Sequence, residues 1–152
     1  MSMTSLSTII ALLNIGTQEF ILLFFVFFIP GVLFLIAFIF YILTLQSTLN
    51  SVSIKNRKMP PNHVWLLLIP FFGLVWHFFV IRDMASSIHD EAIDRNIQLN
   101  EPKPAYNIGL AMCIVSCLFF VPGAFIAALV LWILYWVKIS GYKNQLSLNT
   151  TF

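Results

Sequence analysis

Three histidines, His63, His77 and His89, are the side chains in this chain suited to carrying protons near neutral pH, and His77 alone lies well inside an apolar run. An ionisable group in such a run has the properties of a proton or ion path. Arg82 follows little more than one turn later and Trp76 precedes it directly, so at an interface the same histidine would make only a structural hydrogen bond. Glu19, at the start of the first apolar run, likewise either lines a vestibule or faces headgroups at a helix start. Cys113 and Cys117, four apart on one helix face, cannot bridge each other and lack a nearby histidine for zinc; they read as packing residues. Asp90, Glu91 and Asp94 lack the regular ligand spacing of a calcium loop, and Glu91 with Arg95 reads as an exposed i,i+4 pair. With no nucleophile triad, phosphate loop or dinucleotide fingerprint, the expectation is no enzyme, no cofactor and no metal.

The elements that would hold these residues follow from composition. Of 152 residues, 60% are hydrophobic and 9% charged, with mean hydropathy +0.93, well outside the range of water-soluble domains. A formal net charge of +2, without a long basic run, excludes nucleic acid as the expected partner. The N-terminus lacks a basic stretch and a cleavage site, so it reads as retained, with a weak amphipathic helix through Leu6, Ile9, Ile10 and Leu13. The sequon at Asn149 is too short a motif to carry weight.

The expected architecture is an all-α integral membrane protein forming one domain over 1–152, with spans near 19–45, 64–81, 105–121 and 124–138 and polar loops at 46–63 and 82–104. The second loop should hold a short amphipathic helix, since Ile81, Met84, Ala85, Ile88 and Ala92 keep an apolar stripe. Helix breaks are expected at Pro30 and Gly31, at Pro70 and Gly73, and at Pro122 and Gly123. Small residues predict close helix packing on two ridges, Gly109, Cys113, Ser116 and Cys117, then Ala124, Ala127 and Ala128. An internal echo pairs Asn14-Ile15-Gly16 and Pro30-Gly31 with Asn107-Ile108-Gly109 and Pro122-Gly123. Length favours a middle segment that crosses the bilayer, giving four spans. Charge favours one that re-enters, because every Lys and Arg then lies on one side.

The run from Asn56 to Ile88, with Trp65, Ile69-Pro70, Gly73-Leu74 and Ser86-Ser87, resembles a domain-of-unknown-function family of small bacterial multi-pass membrane proteins. The likeness continues through Ile108-Gly109-Leu110 and Trp136-Val137-Lys138-Ile139, while Gly73 stands where that family often has asparagine. It implies a bacterial inner (cytoplasmic) membrane and no activity. The expected function is a non-enzymatic assembly or accessory subunit, with the lipid bilayer, a second copy or other membrane proteins as partners. A small oligomeric channel or transporter using His77 or Glu19, or a membrane-perturbing effector, are the alternatives.

Overall fold

The computed structural model describes residues 16–118 and 120–148. The Leu6–Leu13 stretch, Asn14 and Ile15 of the echo, Phe119 and the sequon lie outside the described residues. The described chain is helical, without strands: α1 (Thr17–Asn50), a 3-10 helix (Pro61–Leu68), α2 (Phe72–Asp94), α3 (Tyr106–Cys117) and α4 (Ala124–Leu148). Of these, α1 and α4 are long and apolar enough to cross a membrane.

Contacts divide the chain into two units, one ending at Ile39 and one beginning at Phe40. The first unit holds most of α1. Its apolar side chains are exposed on every face of the helix, with Phe24 and Phe28 stacked at 5.0 Å and Phe34 and Phe38 at 6.1 Å. The expected break at Pro30 and Gly31 does not form, because both residues sit inside α1. Proline removes one amide and crowds the preceding turn, which usually kinks or ends a helix. Here the missing bond is tolerated within an otherwise continuous apolar helix.

The second unit carries the core. Tyr41, Ile42, Leu45 and Leu49 from α1 are buried with Val80, Ile81, Met84 and Ile88 of α2, Met112 of α3, and Tyr135, Ile139 and Leu146 of α4. After α1 the chain turns and runs back along α2, so that Ser53 meets Glu91, Lys58 meets Ser87, and the His63 carbonyl accepts from the Trp76 indole. The run 64–81 is therefore not one helix, and the correction has a local cause. A residue before a proline is biased away from the helical region, and at two of these sites the bias prevails. Pro60 is extended before Pro61, and Ile69, with φ −77° and ψ 116°, is extended before Pro70. Phe71 then takes φ 61°, reversing the chain so that α2 starts at Phe72.

Gly73 makes this reversal possible: a Cβ there would stand 2.4 Å from the Leu67 carbonyl oxygen. A separate amphipathic helix in the second loop is also corrected, since α2 continues unbroken from Phe72 to Asp94 and buries the predicted stripe. It stops at Asn96, whose φ of 55° and the Ile97 amide bond to the Ala92 carbonyl form a left-handed cap. A second reversal joins the twelve residues of α3 to α4, with Gly123 at φ 86°. The two Pro-Gly pairs of the echo thus have different structures, one inside a helix and one in a turn.

Candidate functional site

Two groups of side chains in the second unit gather the polar chemistry. The first is a polar cap where the 51–58 loop, the end of α2 and the end of α4 meet. Glu91 is fully buried. Its Oε2 accepts from the Ser53 amide at 3.0 Å and the Asn56 side chain at 2.7 Å; its Oε1 accepts from the Ser53 hydroxyl at 2.6 Å and Arg95 Nε at 2.7 Å. Arg95 also donates to the carbonyls of Ser51 at 3.0 Å and Leu146 at 2.8 Å. One ion pair thus ties three chain segments.

Burial alone would raise the Glu91 carboxyl, but the Ser53, Asn56 and Arg95 hydrogen bonds outweigh it and hold the group below its ordinary range. Around it, Lys55 pairs with Asp94 at 2.8 Å and Lys58 with Asp90 at 2.6 Å. The hydrogen bond to Lys55 comes first in holding Asp94 low, and Asn56 adds to it. Glu91 is buried and bonded through both oxygens, while Asp90 and Asp94 stay partly exposed beside their lysines; the buried pair is a fastening.

The cap was not legible as such. Glu91 and Arg95 read as an exposed pair, yet Met84, Ile88, Glu91 and Arg95 follow a four-three-four spacing. Glu91 therefore continues the buried stripe, and a carboxylate on such a stripe signals a buried polar contact.

The second group is aromatic and lies deeper. Tyr41 is surrounded by Trp132 at 5.4 Å, Tyr135 at 6.3 Å and Trp136 at 6.0 Å between ring centroids. His77 belongs here: its Nε2 is 2.7 Å from the Tyr41 hydroxyl. Trp136 donates to the Thr44 hydroxyl at 2.9 Å, and Trp65 to Gln46 at 3.0 Å. Glu19 is placed elsewhere, in the first unit. It accepts from the Gly16 amide at 3.0 Å, the reach-back bond of a helix N-terminus.

The small-residue ridges divide. Gly109 is packed so closely that a Cβ would meet Ile81 Cγ2 at 2.7 Å and Tyr135 Cε2 at 2.8 Å, so it joins α3 to α2 and α4 within the chain. Cys113 is buried beside it, whereas Cys117 and Ala127 are exposed and Ser116, Ala124 and Ala128 are partly so. Among the described residues no three His, Cys, Asp or Glu side chains gather as metal ligands would. No protein-family model, curated protein or solved structure matches the chain.

Proposed function

We propose that the chain is an integral membrane protein that crosses the bilayer through α1, dips two helical hairpins into it from the side bearing the basic residues, and acts as a non-enzymatic assembly or accessory subunit. Lengths up to the first basic residue favour hairpins over four crossings, although α4 counted to Leu148 is long enough to span. Below the level of Arg82 and Lys138, the apolar arms are about 15 Å for 72–81, about 18 Å for 106–117 and about 21 Å for 124–137, against a hydrocarbon core of about 30 Å. The Lys58–Asp90 pair keeps both ends of the middle segment at one level, and this arrangement satisfies the positive-inside rule.

The observation that carries the assembly reading is the state of the hairpin tips. Phe71 is 86% exposed and Phe120 71% exposed, beside exposed Pro70 and Pro122. Irregular backbone at membrane depth is tolerated where protein covers it, not where lipid does. Tips of this kind call for a covering surface on a second copy or another membrane protein. Transport is less well supported, since His77 is engaged by Tyr41 and Glu19 by the start of α1.

Single cysteines at Lys58, His89 and Lys143, in a background lacking Cys113 and Cys117, should all react with an impermeant maleimide from one face of the membrane. Reaction of Lys58 and His89 positions from opposite faces would sink the hairpin topology. Photo-crosslinkers at Phe71 and Phe120 should yield protein adducts, and adducts to lipid alone would sink the assembly role. Loss of an ion flux on His77→Phe would instead favour the channel.

A further inference from the structure

A groove between α2 and α3 has the make-up of a lipid site. It encloses about 180 Å³ and is lined by Phe78, Phe79, Ile81, Arg82, Tyr106 and Leu110. Its lining joins charged and polar residues to hydrocarbon ones on both helices, so polarity is graded along it. Arg82 and Tyr106 stand at one end, while Phe78 and Leu110 each lie one turn further toward the apolar end of their helix. A charged mouth over an apolar floor suits a molecule with an anionic head and a hydrocarbon tail.

The charges at the mouth support the anionic head. The Arg82 side chain is 62% exposed, and Asp83 takes its Nε at 2.9 Å. The guanidinium carbon lies 5.5 Å over the Phe79 ring, which fixes the side chain along the groove wall. Lys103 adds a second cation, its Nζ 5.2 Å over the Tyr106 ring. Asp83 offsets one positive charge and leaves an excess, whereas the nearby Lys138 is already paired with Glu101. Arginine with its planar fork of donors is well matched to a phosphate.

We propose that this groove binds one anionic glycerophospholipid, its phosphate on Arg82 with support from Lys103 and the start of an acyl chain against Phe78 and Leu110. The site rests on the membrane reading above, because it places Arg82 and Lys103 at headgroup depth. It would hold a structural lipid at the seam between the two hairpins, where α2 meets α3.

The test uses full-length protein in detergent, given equal amounts of phosphatidylglycerol and phosphatidylcholine with the same acyl chains, with retained lipid counted by native mass spectrometry. Phosphatidylglycerol should be retained about fivefold over phosphatidylcholine, the ratio that about 1 kcal/mol for a basic residue near the surface gives. Arg82→Gln, on an exposed side chain, should bring the two to parity. Leu110→Trp, which fills the floor, should abolish retention of both, and Lys143→Gln should leave the preference intact. Equal retention by the unmodified protein, an unchanged preference in Arg82→Gln, or displacement by excess inorganic phosphate would each overturn the site. A detergent-dependent protein with no preference refutes the lipid site alone. One that remains monodisperse in plain buffer refutes the membrane reading as well.

Discussion

Two tyrosines a few ångströms apart have opposite hydrogen-bonding states. The Tyr41 hydroxyl meets His77, whereas the Tyr135 hydroxyl is buried with no hydrogen-bond partner among the described residues. Removing one member of a buried bond strands the other, at a cost of about 1–3 kcal/mol; removing a hydroxyl that has no partner relieves a penalty instead. Tyr41→Phe should therefore lower the thermal midpoint in detergent, while Tyr135→Phe should leave it unchanged or raise it. Thermal unfolding of both variants beside the unmodified protein tests this, and an equal loss in both would refute the assignment. His77 was legible as the histidine inside an apolar run, but its partner was not. Tyr41 is thirty-six residues away, and nothing in the local pattern around His77 points to it.

At the scale of elements, the proline and glycine pairs show what sequence can and cannot decide. Pro70 lies in a turn that Gly73 closes from the first turn of α2, Pro122 with Gly123 forms a turn, and Pro30 with Gly31 stays helical. The difference lies in packing at one glycine and backbone conformation at another. Gly73 is pressed against the Leu67 carbonyl, and Gly123 has a positive φ although nothing stands within 4 Å of an added Cβ; Gly31 has neither feature. Neither the close approach nor the backbone angle is visible in the Pro-Gly motif itself. The same reasoning separates two substitutions. Pro30→Ala should stabilise α1, since proline costs about 3 kcal/mol in a helix interior relative to alanine. Gly73→Ala should destabilise by about 1–3 kcal/mol, the usual cost of overpacking, because backbone rather than a side-chain tip must move. Circular dichroism melts measure both, and a stabilising Gly73→Ala would show that the hairpin is not tight.

For the whole molecule, hydrophobicity announced helices and exposed apolar surface, but it did not announce the polar cap of the second unit, where loop, α2 and α4 converge on Glu91 and Arg95. That convergence spans residues 51 to 146 and could not be read from any one segment. Its pH dependence has a definite sign. Glu91 titrates lower in the folded chain than its ordinary value, so its contribution is complete above the ordinary carboxylate range, about pH 4.3, and fades as pH falls through the lowered value. The thermal midpoint should accordingly drop between neutral pH and pH 3, and Glu91→Gln should flatten that drop, with Asp94 supplying the remainder. At pH 7 the same variant should lose about 3 kcal/mol, the low end for breaking a buried pair, because Arg95 keeps 21% of its side chain exposed. An unchanged pH profile would exclude Glu91 as the fastening.

The cap also sets an order of events during biosynthesis. Arg95 and Glu91 leave the ribosome well before Leu146, whose carbonyl accepts one of the Arg95 hydrogen bonds. Until α4 is made, that guanidinium lacks its Leu146 anchor and the seam along α2 remains open. A chain that stalls before residue 146 therefore leaves Arg95 short of its Leu146 bond and the apolar residues that α4 would cover bare. The fastening of the second unit is thus one that the α2 end and the 51–58 loop cannot close in full without the last turns of α4.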